Sequence, residues 1–92
     1  MAPWSLPADP GLVGSKDTWD PLCAAFGAAV RARREDLGLS QEEFAHRAGV
    51  DRTYASGIER GVRNPTLRVM ARMAKALRTP THKLLAAAES RR

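Results

Sequence analysis

Apolar residues follow a helical period soon after residue 20. From Leu22 to Leu37 they recur every three or four positions, which indicates one buried helix face. Asp20-Pro21 before them supplies an N-cap carboxylate followed by proline at the first helical position, and Gly38 after them suits a C-terminal cap. The pattern predicts a first helix over residues 21–37.

Two shorter helices are predicted in the middle of the chain. Ser40 begins the first with a Ser-x-x-Glu capping box, and Asp51 is the N-cap of the second. Gly49 lies between them and takes the positive φ of a tight turn at low cost. The helices therefore cover about 41–47 and 52–60. Apolar or small residues spaced to pack between them are Phe44, Ala45, Ala48, Val50, Ala55 and Ile58.

The second of these helices has a polar outward face formed by Arg52, Thr53 and Ser56. A small residue is needed where two such helices cross, and Ala45 meets that need. Two short helices are marginal alone, so the neighbouring helices must back them. The combination predicts a helix-turn-helix, which places one helix in the major groove of DNA. A buried helical hairpin without a DNA function would show part of the same pattern.

Two further helices complete an all-α prediction. Asn64-Pro65-Thr66 breaks the chain and caps a fourth helix, and Thr79-Pro80-Thr81 precedes a short fifth helix over 82–88. The predicted buried stripe of the fourth helix is Leu67, Met70, Ala74 and Leu77. The remaining apolar positions indicate either a partner surface or looser core packing. The predicted homodimer interface consists of Val69, Met73, Ala76, Leu84 and Leu85.

Residues 1–20 differ from the rest in composition. Proline and glycine interrupt this segment, so we expect an irregular N-terminal arm before a domain at 21–90. Trp4 and Leu6 either fold back onto the domain or belong to a mobile tail. The arm carries one lysine and three aspartates, whereas residues 21–92 carry 14 Lys and Arg against seven acids. The basic domain favours a polyanionic partner such as nucleic acid, and a well-solvated surface is the alternative.

Other classes of function find little support in these 92 residues. A chain of this size has little room for an enclosed active site, and no nucleophile–base pair or phosphate-binding glycine loop is present, so we expect no enzyme and no cofactor. His46 and His82 lack ligand-spaced partners, so we expect no metal. Cys23 is the only cysteine and is interpreted as a core residue. Neither a signal peptide nor a membrane-spanning run is evident, which fits a reducing bacterial cytoplasm and no membrane partner.

Residues 22–88 resemble the Cro/phage-repressor (XRE-type) family, whose fold is the five-helix lambda-repressor-like domain. The segment LGLSQEEFA at 37–45 is similar to the family's entry to its second helix. GIERGVRNPTL at 57–67 is similar to its passage from the third helix to the fourth. Within the family, DRTYASGIERGVRN at 51–64 resembles the controller proteins of bacterial restriction–modification systems. Residues 1–20 match nothing in this pattern.

The resemblance implies roles for individual side chains. Base reading falls to Arg52, Thr53, Tyr54 and Ser56, although Tyr54 would equally suit packing at the domain edge. Arg52 suits guanine because a guanidinium binds its O6 and N7 in bidentate fashion. An Arg34–Glu59 ion pair would lock the recognition helix to its support. Phosphate binding falls to Gln41, Arg63 and Asn64, joined by Arg60 and Arg47 unless these two are simply solvated.

The expected function is a DNA-binding transcription regulator of a bacterial type. It would bind double-stranded operator DNA as a homodimer on a pseudo-palindrome and associate with the nucleoid when bound. Controller-like autoregulation would follow from the subfamily, and RNA polymerase is a candidate second partner. The alternatives are a phage-type repressor, an antitoxin regulator, or a protein-interaction module without specific DNA binding.

Overall fold

The computed structural model describes residues 20–91, which form five α-helices and no strand in that range. The predicted arm lies outside the described residues except for Asp20, and so do Trp4 and Leu6. The all-α, five-helix prediction is confirmed for the described part of the chain. The helices are α1 (Pro21–Asp36), α2 (Gln41–Ala48), α3 (Arg52–Glu59), α4 (Leu67–Ala76) and α5 (Thr81–Ser90).

Side-chain caps start four of the five helices where the sequence places them. The Asp20 carboxylate accepts a 2.7 Å hydrogen bond from the Leu22 amide, and the Ser40–Glu43 capping box is complete in both directions. Asp51 and Thr66 cap α3 and α4 in the same manner. The ends differ from prediction by one or two residues, and α5 runs from Thr81 to Ser90 instead of over 82–88.

The core lies where α1 packs against α3 and α5 while α2 packs against α3 and α4. Its largest fully buried side chains are Phe44, Ile58, Met73, Leu77 and Val30. Gly27 permits the close approach of α1 to the end of α3. A Cβ at Gly27 would overlap the carbonyl oxygen of Ile58 and lie 2.7 Å from that of Glu59. The glycine therefore sets how near the supporting helix lies to the end of α3.

For three residues of α4 and α5 the position predicted from the sequence is wrong. Leu67, predicted in the buried stripe, is 71% exposed because it follows a largely exposed loop and has no core layer beneath it. Met73 and Leu84, predicted at a dimer interface, are 0% and 3% exposed. Met73 joins Ala74 and Leu77 on the core side of α4, and Leu84 joins Ala88 on the core side of α5. These two side chains belong to the core of a single chain.

The other three predicted interface residues, Val69, Ala76 and Leu85, are half-buried and pack against the core. Their remaining exposure leaves the interface prediction open for them. Among the described residues, no helix is long and apolar enough to cross a membrane.

Candidate DNA-binding surface

Helix α3 divides sharply into a buried side and an outward polar side. Ala55 and Ile58 are fully buried, whereas Arg52 and Thr53 in the first turn are exposed and Ser56 is half-exposed. The Asp51 carboxylate accepts a 2.9 Å hydrogen bond from the Thr53 amide. This cap starts the helix at Arg52, so that Arg52 and Thr53 lie in its first turn. The structure thus brings together three of the four predicted base-reading residues on one surface.

The turn between α2 and α3 has the predicted geometry. Gly49 has φ 70° and ψ 33°, the left-handed conformation that costs other residues more than glycine. Its amide donates to the carbonyl of His46, and the Val50 amide donates to Ala45. Ala45, the small residue predicted at the crossing of the two helices, is only 2% exposed. The motif is a helix-turn-helix with α3 as its outward helix.

A buried ionic network joins α3 to α1 and α2. The Arg34 guanidinium binds Glu59 with both nitrogens of its fork, at 2.7 Å from Nε to Oε2 and 3.0 Å from Nη2 to Oε1. The Glu59 side chain is 2% exposed and that of Arg34 12%. Arg34 also donates to the Leu39 carbonyl at 2.8 Å. The hydrogen bond to Glu59 raises the pKa of Arg34 above its ordinary value, so the guanidinium stays charged.

Gln41, the first residue of α2, also belongs to this network. Its Nε2 donates to Glu59 Oε1 at 3.1 Å, so one carboxylate orients the phosphate-binding candidate and fixes the end of α3. The ion pair that the resemblance predicted between Arg34 and Glu59 is present. The bond to Gln41 was not anticipated, because nothing in the spacing of positions 41 and 59 shows that α2 begins beside the end of α3.

Arg63 lies over the outward face of α3. The Val62 amide donates to the Gly57 carbonyl at 3.0 Å, and the left-handed Gly61 (φ 78°) lets the chain fold back along the helix. The Arg63 stem then covers Gly57, whose added Cβ would lie 2.7 Å from Arg63 Cγ. The guanidinium lies over the Tyr54 ring, with Cζ 5.7 Å from the centroid, which is within cation–π range.

Sequence reasoning missed this arrangement, although Gly57 offered a signal. A glycine four residues after Thr53 and three before Arg60 lies on the outward row of α3, where a side chain would be expected. Gly57 is nevertheless buried, because Arg63 and Val62 cover it. Tyr54 is half-buried and packs against the core, which favours the packing role that the sequence left open.

The other predicted phosphate ligands fall in two places. Asn64 and Arg60 are exposed beside Arg63 in and before the α3–α4 loop. Arg47 is exposed at the opposite end of α2 from Gln41 and lines a separate groove with residues of α4. The predicted phosphate set is therefore not one continuous surface.

The described residues hold no group of three or more His, Cys, Asp or Glu side chains placed to bind a metal ion. Cys23 is half-buried at the start of α1. Burial, and then the negative charge of Asp20, raise the pKa of its thiol, which lowers its thiolate fraction and reactivity near neutral pH.

These features define a helix-turn-helix protein with a polar outward helix. The family model described as Helix-turn-helix matches residues 30–84, more than half of the chain, and the chain belongs to this family. The predicted resemblance is thereby confirmed. Relatives of this family are transcription regulators, a class without enzymatic activity.

The chain is similar to regulators of bacteria. It is 42% identical over 52 residues to an uncharacterised HTH-type transcriptional regulator of Mycobacterium tuberculosis, a match that covers 56% of this chain and 37% of that protein. It thus spans well under half of that relative. It is 46% identical over 56 residues to the control protein C.SmaI of Serratia marcescens, covering 61% of this chain and 67% of that one.

Solved structures show the same relationship. The restriction–modification controller protein C.AhdI of Aeromonas hydrophila superposes with a TM-score of 0.66 and 40% identity, over 67% of this chain and 94% of that one. The controller protein C.Esp1396I, solved as a tetramer with its natural 35 base-pair operator, superposes with a TM-score of 0.69 and 29% identity. That match covers 75% of this chain and 91% of the controller.

Proposed function

We propose that this protein is a sequence-specific regulator of transcription that binds operator DNA as a homodimer, with α3 in the major groove. The observation that carries the proposal is the outward face of α3. Its polar side chains project from a short helix whose buried side is tied to α1 and α2 through Glu59. Such rigid support holds base-reading side chains in register, and specific recognition depends on that register.

Individual roles follow from position and chemistry. Arg52 at the start of α3 reads guanine through bidentate hydrogen bonds, and Thr53 and Ser56 contact neighbouring base edges. The main role of Tyr54 is to hold the Arg63 guanidinium over its ring. The Gln41 amide has two donor hydrogens, so its bond to Glu59 leaves one for a phosphate at the positive end of α2.

The α3–α4 loop supplies the remaining backbone contacts. Arg63 and Asn64 are exposed and follow the recognition helix, with Arg60 just before them. Contacts of this kind position a protein on the duplex and strengthen binding to every sequence. Arg47 is not assigned to this surface, because it lies in the groove between α2 and α4.

A homodimer accounts for apolar surface that the single chain leaves uncovered. Leu67 is 71% exposed at the start of α4, with Ala71 exposed one turn later on the same edge. A two-fold interface that covers this edge would present two α3 helices to half-sites about 34–36 Å apart. The operator is therefore a pseudo-palindrome. The exposed Leu67 replaces Met73 and Leu84 as an interface candidate, and the half-buried Leu85 remains one.

Similarity to controller proteins supports autoregulation in a bacterial cytoplasm. C.Esp1396I binds its natural operator as a tetramer. By analogy, the operator of the present protein lies upstream of its own gene. Occupancy would then set the rate of its own transcription, with RNA polymerase as the second partner. A phage-type repressor or an antitoxin regulator would use the same surface on a different operator.

The test is fluorescence anisotropy of the purified protein with DNA from upstream of its gene, beside a scrambled duplex, at about physiological salt. A preference of ~10³-fold or more is typical of specific binders and is the expected result. Sedimentation of the protein–DNA complex should show two chains per pseudo-palindrome. Equal weak binding to both duplexes would contradict an operator upstream of its own gene, and equal weak binding to every sequence of a genomic selection would favour a protein-interaction module.

Two variants separate base reading from general charge. Arg52→Ala should cost about 1–3 kcal/mol on the operator and relax the preference at one base pair. Arg91→Ala removes the same charge from the exposed end of α5 and should leave operator binding unchanged. Equal losses for Arg52→Ala on operator and scrambled DNA would remove its base-reading role.

A further inference from the structure

A basic groove lies away from the outward face of α3, between the C-terminal ends of α2 and α4. It has an open volume of about 490 Å³. Arg47 lines one side, and Arg72, Lys75 and Arg78 line the other; all four are exposed. The floor is made of small residues, including Ala48 and Ala76. No acidic side chain lines this groove, although Arg47 also interacts electrostatically with Glu43 one turn before it on α2.

The cations of α4 are arranged at a cost to the helix. Arg68 and Arg72 are four residues apart and Arg72 and Lys75 are three apart, so like charges are neighbours on one face. Such pairs destabilise a helix, and α4 contains no acidic residue to offset them. Helix C-termini attract cations, which accounts for a basic residue in the last turn. This attraction does not explain Arg68 and Arg72, because both lie before the last turn of α4.

Arg78 is a second, independent observation. It has φ 55°, and it is the one non-glycine residue with positive φ in the described part of the chain. Glycine is the usual residue just after a helix in this conformation, because other residues are strained there. The carbonyls of Leu77 and Arg78 are bound by Arg33 at 2.9 and 3.2 Å, which stabilises this turn. The strained position thus carries one more cation on the groove.

The groove is separate from the proposed DNA contacts. Gln41 and the 61–66 loop lie at the N-terminal ends of α2 and α4, whereas the groove lies at their C-terminal ends. At 1.5 Å per residue these ends are about 10 Å apart along α2 and about 15 Å apart along α4. On the proposed function, none of the residues assigned to DNA contact lines the groove, and Arg52 at the start of α3 is three residues from Gly49 at the groove's edge.

We infer that this groove binds an acidic segment of a partner protein. Arginine forks bind carboxylates in bidentate fashion, and a floor of alanine and glycine lets an extended backbone approach closely. Successive side chains of an extended segment point to opposite sides, so a run of consecutive Asp and Glu residues places carboxylates on both basic sides of the groove. The protein would then hold such a partner beside the DNA it occupies.

The test uses the full chain without DNA, so that its outcome is independent of operator binding. The probe is a fluorescein-labelled 12-residue peptide of alternating Glu and Asp, with a Gln/Asn peptide of equal length as the neutral comparison. The groove variant is Arg72→Ala/Lys75→Ala. The matched control is Lys83→Ala/Arg91→Ala, which removes the same charge from exposed positions in and just after α5. Thermal melts of both variants verify folding.

The acidic peptide should bind more tightly than the neutral one. The groove variant should weaken that binding about tenfold, as expected for the loss of two exposed ion pairs, and the control variant should change it less than about twofold. Operator affinity and its salt dependence should be the same for the groove variant and the wild type.

Two outcomes would overturn the inference. Equal weakening by both variants, or equal binding of both peptides, would show that the groove has no particular affinity for acidic segments. A groove variant with lower operator affinity and a salt slope reduced by about 2 would show that DNA phosphates occupy the groove instead.

Discussion

Replacing Gly57 with alanine should separate the stability of α3 from its ability to bind DNA. Alanine in a helix interior is favoured over glycine by about 0.5–1 kcal/mol. The new Cβ would lie 2.7 Å from Arg63 Cγ, too close for the present Arg63 rotamer. The obstacle is a flexible side chain, so Arg63 would swing away. It would lose its contact with the Tyr54 ring, at a cost of about 0.5–1 kcal/mol at an exposed site.

These two changes nearly cancel, so the free energy of unfolding should move by less than about 1 kcal/mol in either direction. DNA binding should respond differently, because a released Arg63 must be ordered again when it contacts DNA. Immobilising such a side chain costs about 0.5–1.5 kcal/mol. Operator affinity should therefore fall roughly 2- to 12-fold. Urea unfolding and fluorescence anisotropy on the same preparation measure the two quantities.

A double-mutant cycle with Arg63→Ala identifies the cause. If Gly57→Ala acts by displacing Arg63, it should have no further effect on operator affinity once Arg63 is alanine. If the losses add fully, the methyl group itself collides with DNA, and the reasoning from the Gly57–Arg63 contact is refuted. Arg63→Ala alone should also reduce the salt slope by about 1, because a phosphate-neutralising cation is lost.

Three further changes test the support of α3 and the start of α2. Glu59→Ala should destabilise the fold by about 3–5 kcal/mol, since it leaves the Arg34 charge buried without its partner; a loss below 1 kcal/mol in urea unfolding would contradict this. Gly27→Ala should lower the free energy of unfolding by about 1–3 kcal/mol, because the added Cβ meets the backbone carbonyls of α3. Thermal melting should show a lower Tm. Hydrogen bonds from Ser40 lower the pKa of Glu43 below its ordinary value of 4.5, so its contribution to stability is present above that pH and is lost as the pH falls through the lower folded pKa. Glu43→Gln retains the cap without the titration, so its urea midpoint should fall less than the wild type's between pH 6 and 3; parallel curves would exclude the effect.

The helix starts and the α2–α3 turn were predictable because their causes are local. A cap involves residues two or three positions apart, and Gly49 adopts its left-handed conformation within a single turn. The outward placement of Arg52 and Thr53 follows from the same local periodicity. For these features nearly all of the stabilising interactions are between neighbouring residues, so a single sequence suffices to predict them.

The helix faces that pack were predictable only in part. Leu67, Met70, Met73 and Leu77 all lie on the apolar side of α4, and spacing alone does not show where the core layer ends. Docking against α2 and α5 buries Met73 fully and leaves Leu67 exposed. The angle and height of docking decide this, and they depend on side chains in other helices.

The sequence by itself determined five helices, the side-chain caps of four of them, the turn and the polar outward face of α3, because each depends on contacts within a few residues. Tertiary structure decided which leucine or methionine is buried, how Glu59 joins Arg34 to Gln41, why Arg63 covers Gly57, and where the basic groove lies. Each of these brings together side chains from separate segments or helices. Their free energy depends on distances that the chain reaches only after the helices have packed.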